Sequence, residues 1–183
     1  MLTPRVVFRH TVESFIRDVL QRRALLAPDF VSTLAAQGID VNKPRDLPRE
    51  RWWSLLELTA ERIAPGKPRG QNMELIGREM VRAFADGLVG RGLFMVLRIM
   101  GPRRAVLRMA ENFRTADNFS SVSVREIGPR HLEVAYTPVA GMPELVLGIL
   151  SESMTLIGVK NPRVVFELTP SSDGAIYSLR WEA

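Results

Sequence analysis

The apolar residues of this chain change their period once, and that change divides the fold. From Val12 to about Phe113 they recur every three or four residues, as on the buried face of a helix. From Val122 onward they mostly alternate, as on strands, apart from one further helical run. The switch falls in Gly101-Pro102-Arg103-Arg104-Ala105-Val106-Leu107-Arg108-Met109-Ala110-Glu111-Asn112-Phe113-Arg114-Thr115-Ala116-Asp117-Asn118-Phe119. This stretch reads as a helix that opens at Gly-Pro and closes in a polar turn flanked by aromatic residues. The chain has 183 residues, enough for one well-formed core. The expectation is therefore a single α+β domain over 1–183, with a helical part at 1–114 and a sheet part at 115–183.

Within the helical part, Thr11 to Arg23 carries Val12, Phe15, Ile16, Val19 and Leu20 on one stripe, with Thr11 placed to cap it. Pro28 to Gln37 follows, with Gly38 positioned to end it. A third helix opens near Pro48 and buries Trp52, Leu55, Leu56 and Ile63. The Pro65–Gly70 break separates it from a fourth helix at about Asn72 to Leu88. The fifth, with Leu93, Phe94, Val96, Leu97 and Met100, is apolar almost all round and is expected at the centre of the fold. The sixth covers Pro102 to Phe113. Strands are expected at Ser121–Ile127 and His131–Thr137, then a helix from Pro143 to Ile157, then strands at Arg163–Leu168 and Ala175–Trp181. The architecture predicted is a bundle of about six helices packed on a four-stranded antiparallel sheet of β-β-α-β-β order.

Composition narrows the chemistry. The chain has no cysteine, which excludes disulfides, thiolate catalysis and cysteine-ligated metals. Two histidines, His10 and His131, are too few for a multi-histidine metal site. The N-terminus lacks the apolar core of a secretory signal, and Leu88–Met100 is too short and too charged to span a bilayer. A cytoplasmic protein without membrane insertion is expected. Residues 1–114 hold 20 Lys and Arg against 12 Asp and Glu, whereas 115–183 hold 5 against 8. The basic half suits an anionic partner, nucleic acid included; a genome that favours arginine explains the same bias more simply.

Gly90-Arg91-Gly92-Leu93, Gly101-Pro102-Arg103-Arg104 and Asn112-Phe113-Arg114-Thr115-Ala116-Asp117-Asn118-Phe119 together resemble an uncharacterised family of about this length, expanded in myxobacteria and named only as a domain of unknown function. Phe8–Leu20 and Tyr177-Ser178-Leu179-Arg180-Trp181 fit the same pattern. More distantly, helices followed by β-β-α-β-β with an aromatic last strand are similar to the ligand-binding fold of haem–nitric-oxide sensors, 4-vinyl-reductase-type domains and TRAPP tethering subunits. That resemblance implies a pocket between helices and sheet. It does not carry haem with it: such sensors use a proximal histidine on a helix, whereas His10 precedes the first helix expected here.

Each candidate site has a structural alternative. Phe94, Leu97, Met109 and Tyr136 are the residues expected to line an apolar pocket. Met95, Met100, Met109, Met142 and Met154 suit an adaptable pocket or ordinary core filling. Arg103, Arg104 and Arg108, at a helix start, suit an anion, with Arg98 or Arg114 nearby; a solvated helix face is the simpler reading. Adjacent Trp52 and Trp53 point about 100° apart, so one faces the core and the other is free for an interface. Asp117-Asn118 serves as a site pair or, more simply, as a turn held by its own side chains. His131 and Glu133 share one strand face, where a metal or acid–base pair competes with a solvent-facing hairpin. No catalytic or cofactor signature stands out. The function expected is a non-enzymatic regulatory module that binds a small apolar ligand or a protein, as a homodimer and with no cofactor. The alternative is anionic-partner or nucleic-acid binding through the basic helices.

Overall fold

The computed structural model describes residues 4–113, 115–139 and 141–182. The chain opens with a two-residue strand, β1 (Val6–Val7), and α1 (Arg9–Ser14), which continues as a π-helical segment, Phe15–Gln21. Then come α2 (Pro28–Ala36), β2 (Leu47–Pro48), α3 (Arg49–Ile63), α4 (Arg69–Asp86), α5 (Leu88–Met100) and α6 (Pro102–Phe113). The sheet part is β3 (Ser121–Gly128), β4 (His131–Thr137), α7 (Pro143–Leu156), β5 (Arg163–Leu168) and β6 (Ala175–Arg180). The four long strands form an antiparallel sheet in the order β3-β4-β6-β5, and β1 pairs with β2. The α+β class and the β-β-α-β-β order are those expected.

Two cores share the molecule. The first gathers Phe15, Leu20, Leu34, Trp52, Leu55 and Leu56 with Met73 and Ile76 of α4. The second gathers Phe94, Leu97, Val106 and Met109 with the sheet residues Val122, Leu132, Val134 and Tyr177. Within the helical half, α6 packs on the sheet from one side of α7, and α4 joins α7 to the N-terminal helices.

α4 and α7 bridge the cores by packing backbone on backbone. A Cβ on Gly77 would sit 2.1 Å from the Leu145 carbonyl oxygen, and one on Gly148 would sit 2.1 Å from that of Glu74. Only glycine permits this approach from both sides. Ion pairs flank the seam. Buried Glu152 of α7 accepts from Arg82 Nε at 2.7 Å and Arg78 Nη1 at 3.4 Å, and buried Glu79 pairs with Arg23. The long arginine stems reach solvent, so these carboxylates are paired without full desolvation of their partners.

Three expectations change. The first helix is not a uniform α-helix capped by Thr11: Phe8 precedes it, Thr11 lies inside, and its later turns are π-helical. The fifth helix begins at Leu88 and runs through Gly90 and Gly92, because a Cβ at Gly90 would strike the Phe84 carbonyl, 1.9 Å away. Nor is α5 central. Phe94 and Leu97 face inward, but Leu88 and Ile99 are 84% and 83% exposed, with Val89, Met95 and Val96 beside them.

Candidate functional site

A cavity of about 480 Å³ lies where the two cores meet. The first core supplies Phe15, Val19 and Trp52; the second supplies Phe94, Leu97 and Met109; α7 supplies Leu145, Val146 and Ile149. Phe94, Leu97, Met109 and Tyr136, the four residues expected from the sequence to line a pocket, are all in its wall. They come together because Phe94 and Leu97, one turn apart on α5, and Met109 of α6 face the core that also holds the β4 residues Leu132 and Val134. Met142 joins them, whereas Met95 points to solvent and Met154 is core.

Both tryptophans also belong to this wall. Trp52 is buried, with its ring edge-on to Phe15 at 5.3 Å, and Trp53 packs half-buried against Phe119 at 6.4 Å. Trp53 is the more exposed of the pair, and a larger exposed apolar face lies on α5. The 100° offset is real, but neighbouring segments cover both directions.

The polar groups cluster at two places. Asp18, on the π-helical segment, is held by Arg17 at 2.7 Å, with Arg22 at 3.9 Å. At the other, Asp117 Oδ1 accepts the backbone N–H groups of Phe119 (2.9 Å) and Ser120 (2.6 Å), and Asp117 Oδ2 accepts Ser120 Oγ–H at 2.8 Å. Ser120 Oγ also lies 2.9 Å from Tyr136 Oη. Burial pushes the Tyr136 phenol up, the hydrogen bond with Ser120 opposes the rise, and the nearby Asp117 carboxylate adds to it, for a value of about 12. Asn118 accepts from Val6 N–H and donates to the Pro4 carbonyl, tying the turn to the chain start. The turn reading of Asp117-Asn118 is what the structure contains. Sequence reasoning missed Ser120 as the link from that turn to Tyr136; the only signal was an Asp-x-x-Ser spacing common to many turns.

The remaining candidates lie elsewhere. His10, expected to precede the first helix, lies instead in its first turn because the helix opens after Phe8; it is exposed at the cavity mouth, its ring stacked on Phe8. Arg103 pairs with Glu126 and Arg108 with Glu111, while Arg104 has no ion-pair partner among the described residues. Arg98 donates to the Leu156 carbonyl, and Arg114 lies outside the described residues. His131 bonds Ser178 Oγ at 2.8 Å, and Glu133 pairs with Arg125, so the two are engaged separately on the outer sheet face. Among the described residues no three His, Asp or Glu side chains group as metal ligands, and no helix is long and apolar enough to cross a membrane.

Solved structures share this fold. An oxygen-binding H-NOX domain related to soluble guanylate cyclases aligns with TM-score 0.63 and 14% identity, over 96% of this chain and 95% of that one. The Fe(II) unliganded H-NOX protein from K. algicida aligns with TM-score 0.61 and 10% identity, over 96% and 97%. A structure described under modulation of heme redox potential by porphyrin distortion gives 0.61 and 15%, over 96% and 95%. At these identities the likeness is one of fold. No curated protein matches the sequence. The helical half, the four-stranded sheet and the turn between them all fall within residues 5–182, over which the sequence matches one family model, and by that match the chain belongs to the family described as "Protein of unknown function (DUF2378)".

Proposed function

We propose that this protein is a non-enzymatic regulatory module that holds a small, largely apolar ligand in the cavity between its helices and its sheet. The cavity carries the reading: its volume lies in the range of small-molecule sites, about 300–1,000 Å³, and residues of both cores wall it. A ligand there touches α1, α3, α4, α5, α6 and α7 at once, so occupancy is felt by nearly every helix. The polar groups in the wall bond to one another rather than forming a nucleophile–base pair, which favours binding over turnover.

Haem is the ligand to test against these walls, because solved proteins of this fold carry it in their descriptions. The residues present do not fit it. The one imidazole in the wall, His10, sits exposed at the mouth. Tyr136 holds its proton up to about pH 12, which opposes a tyrosinate ligand. The charged groups among the described wall residues are the carboxylates of Asp18 and Asp117, where haem propionates would need cations.

The test is native mass spectrometry beside the denatured mass. A small-molecule adduct lost on denaturation is expected, and a Phe94→Trp variant, which fills the cavity, is expected to lose it while remaining folded. A bare wild-type chain overturns the reading.

A second reading rests on the outer surface. Residues 87–110 carry five arginines, of which Arg103 and Arg108 are paired with Glu126 and Glu111, beside the exposed apolar face of α5. Such a face suits a second copy in a homodimer, and the arginines at its edge suit an anionic partner, nucleic acid included. Binding to duplex DNA that weakens steeply with salt supports the anionic partner; binding indifferent to salt removes it.

A further inference from the structure

The hydrogen bonds at one end of the cavity have a direction. Ser120 has a single hydroxyl proton, and the Asp117 carboxylate, an acceptor only, takes it at Oδ2, 2.8 Å away. Ser120 Oγ therefore meets Tyr136 Oη, 2.9 Å away, as the acceptor, and the phenol proton points at Ser120. The chain runs Tyr136 O–H to Ser120 O–H to Asp117. Its far end is locked, because the other carboxylate oxygen holds two backbone N–H groups. Its near end, Tyr136, lines the cavity, with its ring held edge-on by Phe113 at 5.5 Å. A tyrosine whose proton is already committed offers the cavity lone pairs only. Thr11 is committed in the same sense: its hydroxyl donates to the Ala116 carbonyl at 3.1 Å.

We propose that this end of the cavity selects a ligand whose apolar body carries a hydrogen-bond donor, a hydroxyl or an N–H, given to Tyr136 Oη. The inference rests on the cavity being a ligand site, and it names the chemistry of the group that site reads. A bare carbonyl or ether oxygen brought to Tyr136 meets lone pairs against lone pairs. It loses its hydration without replacement, the asymmetry that makes unpaired polar groups costly once water is displaced.

The test compares three probes of one shape on the full chain: 2-naphthol, 2-methoxynaphthalene and 2-acetylnaphthalene, with affinities read by calorimetry. Wild type is expected to bind 2-naphthol about three- to tenfold more tightly than 2-methoxynaphthalene, the range of one net hydrogen bond. Tyr136→Phe is expected to erase that preference while still binding 2-methoxynaphthalene. Ser120→Ala releases the phenol proton and is expected to lower the ratio of 2-naphthol to 2-acetylnaphthalene affinity. Equal affinities in wild type, or a ratio untouched by Ser120→Ala, overturn the donor rule and leave the cavity standing. If the folded wild type takes up none of the three, the cavity reading falls, and the donor rule with it.

Discussion

Both tyrosines of the chain are held as neutral phenols. Burial is the main cause in each: Tyr136 rises to about 12, and Tyr177, whose hydroxyl donates to the Pro143 carbonyl at 2.8 Å, rises as well. A folded-state value above the ordinary 10.0 means that the neutral form is favoured by folding. The stability so gained is complete below pH 10 and is lost as pH climbs from 10 through about 12. In an alkaline titration, phenolate absorbance is expected to stay low past pH 10 and to emerge together with loss of helical circular dichroism. A phenolate signal at pH 10 in the folded chain would contradict the burial of these side chains. The same residues show where sequence reading ends. Tyr136 was legible as a wall residue because it alternates with Val134 and Leu132 on β4. Its proton's direction was not, because that depends on Ser120 arriving from another segment.

Helix pairing in this fold turns on two glycines, and a third, exposed glycine is their control. Gly77 and Gly148 each face a carbonyl across the α4–α7 seam, so Gly77→Ala or Gly148→Ala forces two helices apart. Each is expected to lower stability by about 1–3 kcal/mol, the range of overpacked cores, read as a shift in the urea midpoint. Gly92 sits on the exposed face of α5 with nothing within 4 Å of its would-be Cβ. Gly92→Ala is expected to be neutral or to add up to about 1 kcal/mol, because alanine favours the helix. If Gly77→Ala proves as harmless as Gly92→Ala, the close approach of α4 and α7 is wrong. All three glycines are alike in the sequence. The period of α3 was readable because it buries one stripe, Trp52, Leu55, Leu56, Thr59 and Ala60, whereas α7 is buried round most of its surface, between α4 and the sheet. β1 and β2, two residues each, were too short to show any period, and the π-helical widening left the apolar stripe of Phe15, Ile16, Val19 and Leu20 unchanged.

At the scale of the molecule, α5 and α6 stand between the cavity and solvent. Phe94, Leu97 and Met109 face in, while Leu88, Met95 and Ile99 face out. An exposed apolar face of this extent is characteristic of a binding surface. In the homodimer reading, sedimentation of the wild type shows a dimer that persists at high salt, because apolar burial is not screened. Ile99→Asp, at a position 83% exposed, is expected to give a folded monomer. A wild-type monomer at all concentrations, with Ile99→Asp unchanged, removes the dimer from this face. What the amino-acid order determined by itself was local: which segments are helix or strand, where glycine and proline end them, and which side chains are apolar enough to meet. Period and turn chemistry act over a few residues, so one strand of text contains them. Tertiary structure alone decided which of two apolar faces of α5 would be buried, that both tryptophans would wall a cavity, and that a serine from a turn would orient a tyrosine's proton. Those outcomes depend on distances between segments far apart in the chain, and on the competition of several apolar surfaces for one interior.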